Sequence, residues 1–214
     1  MTDSARIQEL IQAVEQANSD ERLLESVQAL AASHSEAAIP MLIAVLGYNN
    51  PGAAVTAVEG LIALGASAVM PLLEQLDEYN YGARAYSIRA LAALADPRAL
   101  DTLVSAATID FAPSVRRAAA KGLGNLHWQQ LPPEEIAQAQ TKVLNTLIQV
   151  FQDSDWAIRY AAIVGLQALA KSATSTTEPI QNLFEQMLSS EADPAVRSRI
   201  LMAQQRSQAE NAIV

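Results

Sequence analysis

Two basic side chains at equivalent positions of a repeated pattern have the clearest potential for chemistry in this sequence. Arg89 and Lys121 occupy the same place in two similar segments, and Arg117 lies one helical turn before Lys121. Equivalent positions of stacked helices lie about 10 Å apart, so these cations should face one another. With Tyr160, which takes the place of Arg117 in the next repeat, they could bind an anion such as a carboxylate. The alternative is a solvated basic face that binds no ligand.

Acid–base chemistry has one candidate, His127, at the predicted end of a helix. Its imidazole could donate a proton to a ligand, or it could only place a favourable charge at the helix C-terminus. We find no cluster with metal-ligand spacing, no phosphate-binding glycine loop and no catalytic triad pattern. The sequence contains no cysteine, which excludes disulfides, thiolate metal ligands, a cysteine nucleophile and any thioether held by this chain. The residues alone predict a binding module.

Aromatic side chains concentrate in the predicted turns. Those in turns are Tyr48, Tyr79, Tyr81, Phe111 and Trp156. A Tyr-Asn pair occurs at 48–49 and again at 79–80, so part of this pattern is itself repeated. Rigid amphipathic rings along one ridge suit a partner interface or the wall of a pocket for a flat apolar ligand. We predict a partner interface at Tyr48, Tyr79, Phe111, Trp156 and Trp128. The alternative is that these rings only staple helix ends.

The segments that must position these residues repeat along the chain. Residues 82–94 and 113–126 superpose with an offset of 32, and further copies lie at 52–64, 156–169 and 194–205. A spacing in the thirties is typical of stacked helical repeats. Half of the residues are hydrophobic but only 5% are aromatic, which suits helix-on-helix packing. We predict an all-α solenoid of about six helix pairs whose inner helices line a concave surface.

We expect this solenoid to be a single domain over residues 1–214. Residues 1–33 read as a polar capping helix pair, residues 36–128 as the core repeats and residues 133–209 as the C-terminal repeats. Glycine, proline and capping residues mark the predicted helix ends, among them Gly65, which should end the inner helix of the second pair.

An arginine recurs at the same place in four of the copies, and an acid stands six residues before each one. The pairs are Glu78 with Arg84, Asp110 with Arg116, Asp153 with Arg159, and Glu191 with Arg197. Each arginine can pair with the acid of its own repeat or of a neighbouring repeat. We interpret the column as a structural ladder that connects the turns, and not as a ligand site.

Charge and hydropathy restrict the partners. The net charge of -9 disfavours a general nucleic-acid binder, because phosphate contacts need a basic face. The sequence contains no run of 18 apolar residues, and its N-terminus lacks the apolar core of a signal peptide. We therefore expect a soluble, cytoplasmic protein without membrane insertion.

Three runs of the sequence resemble the HEAT-like repeats of phycobilin lyases: YNNPGAAVTAVEGLIALG, YNYGARAYSIRALAALADPRALDTL and DFAPSVRRAAAKGLGNLHW. The chain length and the run AIPMLIAVLGYNNPGAA are more specifically similar to the smaller, F-type subunits of the heterodimeric E/F lyases. The resemblance implies a cyanobacterial protein that, with a larger E-type subunit, attaches phycocyanobilin to a cysteine of the phycocyanin alpha subunit. The bond formed is a thioether, and the reaction can run in reverse.

This resemblance gives the candidate residues a ligand. Phycocyanobilin, a bound substrate and not a cofactor, carries two propionates and an extended apolar π-system. The cations could pair with the propionates while tyrosines flank the rings, and His127 could supply a proton. The predicted bilin-binding residues are Arg89, Arg117, Lys121, Tyr81, Tyr86 and Tyr160. The alternative is a non-enzymatic HEAT-repeat adaptor or phycobilisome assembly chaperone that binds the same partners.

Overall fold

The computed structural model describes residues 3–76, 80–173 and 176–211, and the secondary structure in these ranges is entirely helical. The chain forms two compact units, Met1–Leu94 and Ala95–Val214. Each unit consists of successive helix pairs, three in the first and three in the second, which confirms the predicted all-α repeat fold. The prediction of one domain with its three segments stays a prediction.

The first unit contains helices α1 to α6: α1 Asp3–Glu15, α2 Asp20–Ala31, α3 Ile39–Val45, α4 Pro51–Leu64, α5 Val69–Glu74 and α6 Tyr81–Leu94. Helix α4 packs between α2 and α6, while α3 and α5 lie on the outer side of their own pairs. The buried faces are made of alanine, leucine, isoleucine and valine. The predicted cap at Gly65 is confirmed, because this residue follows α4 with φ +65°, which favours glycine.

Asparagine side chains connect neighbouring turns of the first unit. The Oδ1 atom of Asn50 accepts a hydrogen bond from Ala53 N–H at the start of α4, and its Nδ2 donates to the carbonyl of Asp20. The side chain of Asn80 does the same for α6, since it accepts from Ala83 N–H and donates to the carbonyl of Gly47. The repeated Tyr-Asn turns therefore hold asparagine N-caps that also bind the preceding repeat.

The second unit contains helices α7 to α12: α7 Leu100–Ile109, α8 Pro113–Leu123, α9 Pro133–Val150, α10 Trp156–Ser172, α11 Thr177–Ser190 and α12 Pro194–Asn211. The inner helices α8, α10 and α12 stack in this order. Two glycines allow α8 and α10 to approach closely. A Cβ atom on Gly124 would lie 1.9 Å from the carbonyl oxygen of Gly165, and one on Gly165 would lie 2.3 Å from that of Ala120. Helix α8 ends at Leu123, three residues before the predicted Leu126.

The arginines of the ladder make the same backbone contact in each repeat of the second unit. In each of three repeats the guanidinium Nη1 donates to the carbonyl oxygen of the acid six residues earlier. The bonds are Arg116 to Asp110 (2.7 Å), Arg159 to Asp153 (3.0 Å) and Arg197 to Glu191 (2.9 Å). Each arginine thus fastens the turn that precedes its own helix.

The carboxylates of Asp153 and Glu191 pair with the arginine of the preceding repeat. Arg159 makes two hydrogen bonds to the buried Glu191 carboxylate, 2.7 Å from Nε to Oε2 and 2.9 Å from Nη2 to Oε1. Arg116 Nε lies 3.2 Å from Asp153 Oδ2 as an ion pair without hydrogen-bond alignment. The predicted ladder is confirmed for these repeats. Arg84 is buried in the first unit, and its acid Glu78 lies outside the described residues.

One stretch of the described chain, Pro51–Glu74, is long and apolar enough to cross a membrane by length and composition. It comprises α4, a 3₁₀ turn and α5, and these helices bury their apolar residues in the core of the first unit. A buried core segment of a globular protein passes the same test, so the stretch is weak evidence for a membrane span.

Candidate functional site

Three of the predicted ligand-binding residues lie on α6 in the first unit. Tyr86 and Arg89 are three residues apart, so they are neighbours on one face of the helix. Tyr86 is half-buried and Arg89 is exposed, whereas Tyr81, the first residue of α6, is 60% exposed. An exposed cation beside a half-buried ring is suited to binding an anionic group attached to an apolar body.

The other predicted cations lie on α8 in the second unit. Arg117 and Lys121 are separated by four residues, share a face of the helix and are both exposed. Neither they nor Arg89 form an ion pair with any residue that the structure describes, in contrast to the arginines of the ladder. Arg89 belongs to the other unit, so its approach to Lys121 stays a prediction.

Tyr160 on α10 lies against a cation that the sequence did not single out. The guanidinium carbon of Arg199, on α12, is 5.9 Å from the centroid of the Tyr160 ring, within range of a cation–π interaction. Arg199 is only 5% exposed, and its Nη2 donates to Oε1 of Gln167 on α10. Burial away from water lowers the pKa of Arg199.

Sequence signals for Arg199 existed but were faint. In the last copy of the repeat, aligned on Arg159 and Arg197, position 199 corresponds to Ala161, a small buried residue. A charged side chain at a position occupied by alanine in the preceding copy marks a departure from the pattern. We missed it because the last copy is the most degenerate of the set.

Among the described residues, no carboxylate hydrogen-bonds the imidazole of His127. The residue is exposed and lies four positions beyond the end of α8, so the alternative of a helix-capping charge does not fit its position. Its backbone N–H donates to the carbonyl of Ala95 at 2.8 Å. The nearby Asp96 carboxylate is engaged by two hydrogen bonds from Arg98, which hold the pKa of Asp96 below its ordinary value. A role for His127 as an acid stays a prediction.

A hollow of about 320 Å³ lies near His127, between the turn before α7 and the segment after α8. The lining consists of Asp96, Pro97, Arg98, Gln130 and Leu131. Its charged groups already neutralise each other, because Arg98 and Asp96 are paired at 2.7 Å. The residues that the structure describes contain no group of three or more potential metal ligands.

Aromatic and aliphatic side chains are exposed at the turns of the second unit. Ile109, the last residue of α7, is 77% exposed, Phe111, between α7 and α8, is 71% exposed, and Trp156, at the start of α10, is 49% exposed. Arg116 links the two turns, since it donates to the carbonyl of Phe111 and pairs with Asp153. In the first unit Tyr48 is also exposed. Exposed large apolar side chains at neighbouring turns are typical of partner surfaces. Tyr79, which we also predicted at the interface, lies outside the described residues.

Trp128 requires a correction. We predicted it at the partner interface, but it is only 5% exposed. Its indole Nε1 donates to Oγ of Ser172 at 3.0 Å, and Ser172 in turn donates to the carbonyl of Gly124. The irregular segment after α8 folds back onto the end of α10 and buries the ring. Trp128 is therefore a packing residue of the second unit.

Comparisons with known proteins agree with the repeats. The family model for HEAT repeats matches residues 69–138, and that for a single HEAT repeat matches residues 143–173. A relative named phycocyanobilin lyase subunit beta, from Nostoc sp. PCC 7120, is 58% identical over 92% of this chain and 98% of its own length. A relative named phycocyanin alpha phycocyanobilin lyase CpcF, from Synechocystis sp. PCC 6803, is 52% identical over 91% of both chains.

Solved structures are also similar to this chain. A chain in the complex of CpcE and CpcF of phycocyanin lyase from Nostoc sp. PCC 7120 is 60% identical, with a TM-score of 0.77 over 79% of this chain and 99% of that one. A designed armadillo repeat protein, 15% identical, matches with a TM-score of 0.53 over 93% of this chain. The second similarity concerns the fold alone.

Proposed function

The chain belongs to the family of phycocyanobilin lyase beta subunits, and from this premise we propose that it is the smaller subunit of a heterodimeric bilin lyase. The enzyme attaches phycocyanobilin through a thioether to a cysteine of the phycocyanin alpha subunit, in the cytoplasm of a cyanobacterium. The observation that carries the proposal is the agreement in sequence with these subunits over nearly their full length. We further propose a larger E-type subunit as the partner, by analogy with the CpcE–CpcF complex.

The absence of cysteine determines which group attacks the pigment. This chain has no thiol, so we propose that the acceptor protein supplies the nucleophile and that this chain holds the pigment without a covalent bond. In the reaction the thiol sulfur bonds to the ethylidene carbon of the bilin, the ethylidene double bond is consumed, and the thiol proton is transferred to the pyrrole system. Catalysis then comes mainly from orienting the bilin toward the thiol.

Exposed cations on α6 and on α8 each support bilin binding. Arg89, Arg117 and Lys121 have no ion-pair partner among the described residues and can form charge-assisted hydrogen bonds with propionates. Half-buried tyrosines lie on inner helices as well, Tyr86 on α6 together with Arg89 and Tyr160 on α10, where they can contact the apolar rings. The ladder arginines are excluded from this role because their hydrogen bonds serve the fold.

The exposed turns support a protein-binding surface. We propose that Tyr48, Phe111 and Trp156 contact a protein partner, with Tyr79 as a further candidate outside the described residues. These rings provide large apolar area at little conformational cost, which is typical of residues that dominate binding energy.

A reconstitution with single omissions tests the proposed function. This chain, the E-type subunit, apo phycocyanin alpha subunit and phycocyanobilin are combined, and covalent pigment is detected by zinc fluorescence on a denaturing gel. We expect the correct adduct only when both lyase chains are present. Equal adduct without this chain would refute the lyase function and favour the adaptor. The name of one relative, phycobilisome maturation protein, is compatible with either role.

A further inference from the structure

Arg199 is a buried cation for which the described part of the fold supplies no counter-charge. The residue is 5% exposed, its Nη2 donates to the neutral amide oxygen of Gln167, and its Nη1 has no hydrogen-bond partner. No carboxylate among the described residues pairs with it. Arg206 adds a second positive charge in the vicinity. An unpaired buried guanidinium is costly, so its presence calls for a reason.

In the same unit, an arginine with a purely structural role is paired with a carboxylate. Arg159 lies on the same helix as Gln167 and meets the Glu191 carboxylate with two hydrogen bonds. Pairing raises the pKa of Arg159, whereas burial lowers that of Arg199. A neutral amide in the place of a carboxylate leaves Arg199 able to bind an anion.

The guanidinium contacts a partly exposed strip of the inner helices. Tyr160 and Gln167 are seven residues apart on one face of α10, and both are half-buried. On α12, Arg206 follows Arg199 by seven residues and is exposed. The partly exposed Gln167 therefore contacts the buried guanidinium through its amide oxygen. Rotation of this flexible side chain would open Arg199 to a small group and would cost only one neutral hydrogen bond.

We propose that Arg199, Gln167 and Tyr160 form a binding site for one propionate carboxylate of the tetrapyrrole substrate. The carboxylate displaces the amide oxygen of Gln167 and binds the planar guanidinium, including its unpaired Nη1. The adjacent pyrrole ring contacts Tyr160. A propionate on a flat ring system fits because its short flexible arm can reach beneath the surface while the rings stay on it. The proposal rests on the proposed function and specifies how its substrate is held.

Charge-blocked pigment provides the probe. The Kd of the heterodimer is measured for phycocyanobilin and for its dimethyl ester, in which both propionates are neutral, by absorbance titration. We expect the wild-type complex to prefer the acid by tenfold or more. Arg199→Met should reduce this preference by at least fivefold and leave the affinity for the ester almost unchanged. Lys142→Met removes one positive charge from the exposed Lys142–Asp101 pair and is the matched control.

A second variant does not depend on the folding of Arg199→Met. Gln167→Glu places a carboxylate against Arg199, so it should raise the melting temperature and compete with the propionate. We expect this variant to lose the preference for the acid to the same extent as Arg199→Met.

An unchanged ratio of the two Kd values in both variants would overturn the proposal. If such variants still form the correct adduct in the reconstitution, only the Arg199 site fails. If the wild-type complex forms no adduct, the proposed function itself fails.

Discussion

The pairing of Arg159 with Glu191 gives the sharpest stability prediction. Glu191→Gln keeps the size of the side chain but removes the charge that accepts two short hydrogen bonds from the guanidinium. Both side chains are largely buried, at 18% and 4% exposure, so solvent screens the pair only weakly. Hydrogen bonds to charged groups contribute about 1.5–3 kcal/mol, and we expect the free energy of unfolding to fall by about 2–3 kcal/mol.

The effect should depend on pH in one direction. The hydrogen bonds from Arg159 hold the pKa of Glu191 below its ordinary value of 4.5. A carboxyl group with a lowered pKa in the folded state stabilises the protein fully above the pKa of the unfolded state. The difference between wild type and Glu191→Gln should therefore be constant from pH 7 to about pH 5.5. It should shrink as the pH falls below 4.5.

Urea unfolding followed by tryptophan fluorescence measures this effect directly. Both tryptophans, Trp128 and Trp156, lie in the second unit, as does the ion pair, so the signal reports the relevant part of the chain. Glu185→Gln is the matched control, since Glu185 is exposed on α11 and has no ion pair in the described structure. A loss for Glu191→Gln within about 0.5 kcal/mol of this control would refute the view that the ladder holds the repeats together.

Three further predictions concern packing, ligand and partner. Gly165→Ala should destabilise the chain by about 2–3 kcal/mol in the same urea assay, because its Cβ would meet the Ala120 carbonyl; a loss below 0.5 kcal/mol would contradict the close helix contact. Replacing Arg89 and Lys121 together with Ala should weaken phycocyanobilin binding by the heterodimer at least tenfold in absorbance titrations. Unchanged affinity in a folded variant would exclude these two cations from bilin binding. Phe111→Ser should weaken binding to the E-type subunit, the acceptor or both by at least fivefold in calorimetry without lowering the melting temperature, and unchanged affinity for both would remove this turn from the interface.

Features that recur with the repeat could be predicted because they depend on local spacing. An acid stands six residues before each of the four arginines, and in the second unit the carboxylates of Asp153 and Glu191 pair with arginines as predicted. The turn glycine at Gly65 was equally accessible, since a helix that stops before glycine is a local signal. The helix pairs, their order and their caps could therefore be predicted from the sequence alone.

Features that depend on contacts far apart in the sequence could not be predicted. Trp128 was predicted at a partner interface, yet its ring is buried and its indole contacts Ser172, 44 residues away. Helix α8 stops early, and Gly124, just beyond its end, comes close to the backbone at Gly165. Arg199 acquires its meaning only from Gln167 and Tyr160 across two helices. The spacing of residues within one segment does not show which residues of a distant segment will contact it.

The central claim is that this chain belongs to a catalyst, and the reverse reaction tests it most directly. A catalyst accelerates a reversible reaction in both directions, whereas a chaperone that only presents the apo subunit does not release bound pigment. Pigmented phycocyanin alpha subunit is incubated with an excess of small thiol, with the E-type subunit, and with or without this chain, and the loss of covalent pigment is followed over time. We predict release that is at least tenfold faster when both lyase chains are present. Equal rates with and without this chain would contradict the claim.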